Sequence, residues 1–190
     1  MNHLILIRHA ETYPDPALPS AEWPLTSTAV AQCIQLSRRL QGFRPAYVAA
    51  SPEPKAVRTA ELVAMRFDLD VLVYDGLHEH DRSGEPFIES VADFQSMMEA
   101  VFNHPDECVY GTESAVEALE RFEMAVADVL ADAPDEGDVF IVSHGTVNTL
   151  FCSRHMDVDP YPFWLAMGMP SYVVFTLPDY IVLEIVEDID

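Results

Sequence analysis

The residues best equipped for chemistry are Arg8 and His9, which follow the apolar run Leu4-Ile5-Leu6-Ile7, and His144, which follows Val139-Phe140-Ile141-Val142-Ser143. A neutral imidazole is a nucleophile or base near neutral pH, and a guanidinium steadies the oxygens of an anion. Each histidine ends a buried-strand pattern, so the two are expected to meet over one phosphoryl group. Gly145 opens a helix directly after His144. The free N–H groups and dipole at such a helix start favour an anion, and glycine permits close backbone approach. Asn148, in the same first turn, is a further donor. The stretch Ser51-Pro52-Glu53-Pro54-Lys55-Ala56-Val57-Arg58-Thr59-Ala60 repeats the strand-then-helix layout. Lys55 and Arg58 are three apart and share a helix face, and one of the two is expected in the site. The cluster His78-Glu79-His80-Asp81-Arg82 supplies a carboxylate for proton transfer. Its two histidines with Glu79 and Asp81 also admit a divalent metal. Plainer readings stand beside each: a strand-end charge pair, a histidine satisfying backbone groups, two solvated cations on a helix.

The elements that must position these groups follow from the apolar pattern. Short continuous runs rich in Ile, Leu and Val predict buried strands over 2–8, 46–50, 71–74 and 139–143. Four prolines between Pro14 and Pro24 make 10–25 a loop. A helix capped by Thr26 or Ser27 is expected through Gly42, with Val30, Ile34, Leu36 and Leu40 as its apolar stripe. Ser51 caps a second helix that reaches Phe67, with prolines in its first turn. Residues 77–86 form a polar loop, and helices follow over 87–103, 112–133 and 145–155. Residues 171–177 and 180–186 read as an edge hairpin turning at Pro178-Asp179. Strands alternating with helices of this length imply a three-layer α/β sandwich, with a mostly parallel central sheet flanked by helices. No linker or internal repeat divides residues 1–190, so one domain is expected.

Composition narrows the class. The chain has 190 residues, 49% of them hydrophobic, which suits a packed core. No apolar run approaches a membrane span, and Arg8 and His9 interrupt the first one too early for a secretory signal, so a cytoplasmic protein is expected. Cys33, Cys108 and Cys152 are odd in number and scattered, which excludes a full disulfide framework and CxxC metal spacing. The net charge is −22, with seven Lys/Arg against five Asp/Glu over residues 1–66 and three against twenty-seven over 67–190. Nucleic acid, which demands a basic stripe, is not an expected partner. A small anion is, because screening over about 8 Å lets a few local cations decide.

Taken together the motifs resemble the histidine phosphatase superfamily, which includes the cofactor-dependent phosphoglycerate mutases. Arg8-His9-Ala10-Glu11-Thr12 is similar to its Arg-His-Gly-Glu-Thr signature. Leu25-Thr26 with Gln32, Ser51-Pro52 with Lys55-Ala56 and Thr59-Ala60, Leu77 with Glu79, Gly111-Thr112-Glu113-Ser114 with Arg121, and Val142-Ser143-His144-Gly145 follow in the family's order. The chain departs from the pattern at Ala10 (usually Gly), at Lys55 (commonly the second catalytic Arg) and at Asp15 (often an Asn that touches phosphate). The resemblance implies a phosphoglycerate mutase-like fold and hydrolysis of a small phosphomonoester through a phosphohistidine on His9. It implies Glu79 as proton donor, with Arg8, Lys55 or Arg58, His144 and Gly145 around the phosphoryl group, and no metal or cofactor. The family's mutases are longer, which favours hydrolysis over transfer. A phosphotransferase, a non-catalytic phosphate-binding or regulatory module, and a metal-dependent hydrolase on His78 and His80 are the alternatives. Trp23, Phe87, Phe94, Phe102 and His104 are read as core or as substrate wall.

Overall fold

The computed structural model describes residues 2–189, so the outermost residues of the expected domain, Met1 and Asp190, lie outside it. Along the chain run β1 (His3–Arg8), α1 (Ala29–Arg39), β2 (Pro45–Ala50), α2 (Pro54–Ala64), β3 (Leu72–Val73), α3 (Val91–Asn103), α4 (Ala115–Asp132), β4 (Asp138–Ser143), α5 (Gly145–His155), α6 (Pro160–Ala166), β5 (Ser171–Thr176) and β6 (Val182–Val186). The strands form a six-stranded sheet in the order β3-β2-β4-β1-β5-β6. The pairs β3-β2, β2-β4 and β4-β1 are parallel; β1-β5 and β5-β6 are antiparallel. Among the described residues no helix is long and apolar enough to cross a membrane.

Alternation within the apolar strands divides the core in two. Leu4, Leu6, Val139 and Ile141 face one side, packed with Phe122 of α4 and Phe151 of α5. Ile5, Ile7, Phe140 and Val142 face the other, packed with Leu36 of α1 and Ala56, Ala60 and Val63 of α2. Both faces of the sheet are therefore covered. That is why the strands are continuous apolar runs and not alternating ones.

Some local expectations need correction. Val30 and Ile34 are exposed, and the buried stripe of α1 is Ala29, Cys33, Leu36 and Ser37, continuing into Leu40. Thr26 does not cap α1, because its hydroxyl and that of Thr28 both donate to Glu11 Oε2, at 3.0 and 2.8 Å. Helix α2 starts at Pro54 and not after Ser51, whose hydroxyl turns inward to His144. Helix α3 starts four residues later than expected, where Ser90 accepts from the Asp93 N–H. Helix α4 starts at Ala115, three residues later than expected, where Ser114 and Glu117 form a reciprocal capping box.

Candidate active site

Parallel pairing assembles the site. The register Arg8↔Ser143 sets the ends of β1 and β4 side by side, and the His9 N–H donates to Ser143 O at 2.9 Å. On the other flank of β4 the Ser51 N–H donates to Val142 O at 3.0 Å. Three carboxyl ends of neighbouring strands thus deliver Arg8-His9, His144 and Ser51 to one place, the usual position of ligand sites in open α/β sheets.

The His9 and His144 rings meet edge to face, with centroids 5.1 Å apart. His9 Nδ1 lies 2.7 Å from Ala10 O. A carbonyl only accepts, so Nδ1 carries the proton and Nε2 keeps its lone pair. Burial, His144 and Lys55 together hold the His9 pKa well below its ordinary value, so the ring is neutral. His144 is fully buried, and Nε2 lies 2.7 Å from Ser51 Oγ. The Ser51 hydroxyl also accepts from the Glu53 N–H at 3.2 Å. His144 Nε2 also lies 3.3 Å from Glu53 Oε1, while Nδ1 is buried without a protein partner.

Glu79 departs from expectation in an informative way. Its carboxylate, not an open anion site, fills the start of α5: Oε2 accepts from Thr146 N–H at 3.0 Å and Oε1 from Val147 N–H at 3.2 Å. The orphan donors of a helix start accept a carboxylate as readily as a phosphate. Burial alone would raise the Glu79 pKa. Arg82, His144 and the N–H groups of Thr146 and His80 outweigh it and hold the carboxyl far below the carboxylate range. Arg82 lies 3.6 Å from Glu79 Oε2, donates to Thr146 Oγ1 at 2.8 Å and rests over the Phe94 ring. Arg121 of α4 holds the loop that carries Glu79. It donates to Gly76 O, His78 O and Glu79 O and pairs with Glu113 at 2.6 Å.

The structure separates the two cations of α2. Lys55 is buried; its Nζ lies 2.5 Å from Glu53 Oε2 and donates to Ser20 O at 2.6 Å. Arg58 lies outside the cluster: its side chain is 55% exposed and pairs with Glu61 at 2.8 Å. The reason is the docking of α2, which buries Lys55, Ala56, Thr59 and Ala60 and turns Arg58 outward. Arg8 donates to Met167 O and lies against Gly145, where a Cβ would stand 2.9 Å from Arg8 Cζ. Burial pulls the Arg8 pKa down to about 10, still charged at neutral pH. Asn148 lines a cavity of about 10 Å³ together with Arg8 and Gly145.

The remaining candidates are structural. His78 Nδ1 donates to Glu79 O and His80 Nε2 to Glu113 O, so the two imidazoles serve different backbone carbonyls. Among the described residues no three His, Cys, Asp or Glu side chains are grouped to hold a metal ion. Asp15 accepts from the Ala17 N–H of its own turn. Trp23 meets Phe87 edge to face across the loop, while Phe94 and Phe102 pack on Trp164 of α6. His104 is exposed beside Glu107. Glu53, Arg82 and Thr146 carried no role in the sequence reading, and Ser51 carried one as a helix cap and motif residue. Only Arg82, one turn from Glu79, carried a local signal. An acidic residue before a helix, as Glu53 is, ordinarily reads as a solvated partner of the dipole.

The chain matches the family model of the histidine phosphatase superfamily (branch 1) over residues 4–178. A relative from Proteus mirabilis named "Probable phosphoglycerate mutase GpmB" is 28% identical over 180 residues, covering 90% of this chain and 78% of its own. Phosphoserine phosphatase from Entamoeba histolytica, solved with 3-phosphoglyceric acid, superposes with a TM-score of 0.74 at 18% identity, covering 98% of this chain and 97% of its own. A mycobacterial glucosyl-3-phosphoglycerate phosphatase complexed with VO3 superposes at 0.75 and 20% identity, covering 99% and 100%. At these identities the two structures establish the fold.

Proposed function

The chain belongs to the histidine phosphatase superfamily, and from that premise we propose that it is a metal-independent phosphatase that hydrolyses a small phosphomonoester through a phosphohistidine on His9. The observation that carries the reading is the fixed tautomer of His9: Nδ1 is committed to Ala10 O, and the ring is held neutral. In the first step Nε2 attacks phosphorus, the P–N bond forms, and the P–O bond to the leaving group breaks. The leaving oxygen takes a proton from Glu79. In the second step Glu79 accepts a proton from water as that water attacks phosphorus, releasing phosphate and neutral His9.

Glu79 is ionised in the free protein, so it must gain a proton as substrate binds. An arriving dianion supplies the cause, since negative charge beside a carboxylate raises its pKa. Arg8, Lys55 and His144 stabilise charge on the transferring oxygens, with Gly145 giving Arg8 room to approach. The catalytic unit is the single domain of residues 1–190, acting in the cytoplasm; the three free cysteines suit a reducing compartment.

The test is a phosphatase screen over sugar phosphates, nucleotides and phosphopeptides with His9→Ala as control. Wild type should release phosphate, ³²P should be trapped on His9 at low pH, and His9→Ala should do neither. Turnover by His9→Ala at the wild-type rate refutes the assignment. The Proteus mirabilis relative's name favours a second reading, a phosphotransferase. Interconversion of 2- and 3-phosphoglycerate without phosphate release would select it.

A further inference from the structure

Glu53 is a buried carboxylate inside the cluster, and the reaction outlined above gives it no task. Its side chain and that of Lys55 are 9% and 7% exposed, and their charged atoms are 2.5 Å apart. Its other oxygen accepts from the Glu79 N–H at 2.8 Å and lies 3.3 Å from His144 Nε2. One carboxylate therefore touches three members of the site at once: the cation of α2, the backbone of the proton donor, and the second histidine.

The Lys55 contact has the largest consequence for a ligand. Arg8 and Lys55 both depress the His9 pKa, whereas Arg58 points outward. Of these, Lys55 already has a full negative charge at contact distance. A phosphate oxygen that approaches Lys55 meets a cation whose field Glu53 has largely cancelled, and the buried setting gives little solvent screening. Lys55 Nζ donates to Ser20 O, and its contact with Glu53 Oε2 is an ion pair without hydrogen-bond geometry.

We propose that Glu53 is a specificity-determining residue that competes with phosphate for Lys55 and so sets the affinity of the site for a phosphate oxyanion. The proposal rests on the phosphatase reading of the same site. Weakened affinity acts on substrate and on product phosphate alike, and for product it speeds release. It also gives a lysine at position 55 a physical context: the cation and its counter-charge form a unit, two residues apart on one turn.

The alternative is that Glu53 only ties α2 to the Glu79 backbone. Glu53→Gln separates the two, because the amide oxygen still accepts from the Glu79 N–H while the charge is gone. Binding of inorganic phosphate and of orthovanadate is measured by calorimetry for wild type, Glu53→Gln, Lys55→Met and the double variant. Glu53→Gln is expected to bind both anions about tenfold more tightly. In the Lys55→Met background the same change is expected to alter affinity less than twofold. Unchanged or weaker binding by Glu53→Gln overturns the proposal, as does an equal gain without Lys55. Glu53→Met, neutral and of similar volume, repeats the measurement if the amide variant does not fold. If neither folds, the structural role is the correct one. A wild type that binds neither anion overturns the phosphatase reading itself, whereas a wild type that binds with no gain in Glu53→Gln overturns this inference alone.

Discussion

The Arg8 guanidinium lies on the open face of Gly145, so close that a Cβ would stand 2.9 Å from Cζ and 3.1 Å from Nε. The residue after the second histidine is thus small because the residue before the first one needs its space. Gly145→Ala forces Arg8 off its bond to Met167 O or shifts the start of α5. A displacement near 1 Å at a charged anchor costs roughly 10²-fold in rate. Steady-state kinetics should show that loss in kcat/KM, with circular dichroism still native. Full activity would mean that Arg8 does not need its observed position.

Glu79 and the leaving group are linked by chemistry, and substrate choice reads that link. Glu79→Gln keeps an acceptor for Thr146 N–H but has no acid proton to transfer. For alkyl phosphates kcat should fall by about 10²–10⁴-fold. For p-nitrophenyl phosphate, whose leaving group needs no proton, the fall in the first step should be much smaller. Equal losses on both substrates would remove Glu79 from the donor role.

Arg121 spans three carbonyls of the loop before and including Glu79 and pairs with Glu113. Arg121→Met leaves those carbonyls and the Glu113 carboxylate without their donor. Stability should drop by about 2–3 kcal/mol, and kcat should fall more than KM rises. Urea titration and kinetics on one preparation check both. Lysine, with no planar fork, should restore only part.

The two histidines make stability depend on pH. Burial above all holds His9 and His144 well below the ordinary 6.5, and outweighs the raising effect of Glu79 on His144, so the unfolded chain takes up protons that the folded one refuses. More protons bound when unfolded means that stability rises with pH, and therefore falls as pH drops below about 6.5. Each group contributes a slope of about 1.4 kcal/mol per pH unit in that window. Denaturant titrations between pH 6.5 and 5 should show a slope shallower by that amount in His9→Gln. An unchanged slope would contradict a neutral buried His9.

How much of this was legible beforehand depended on the range of the interaction. Apolar runs that end in Arg8-His9 and Ser143-His144 are local patterns, and a doubly covered sheet needs such runs wherever strands are buried on both faces. The strands, the order of the motifs and the pairing of the histidines followed from that. The Lys55–Arg58 choice did not, because spacing of three puts both on one helix face and only the docking of α2 decides which points inward. Val30 and Ile34 misled for the same reason, since helical period admits neighbouring stripes and contact with α2 selects one.

The sequence by itself determined which side chains stand at the ends of the central strands, because alternation and apolar continuity are properties of neighbouring residues. Tertiary structure alone decided that Glu79 occupies the start of α5 and that Glu53 is buried against Lys55. Both arrangements bring together charges whose partners lie on different elements. Their energies depend on distance and solvent exclusion, and neither quantity exists until the chain has folded.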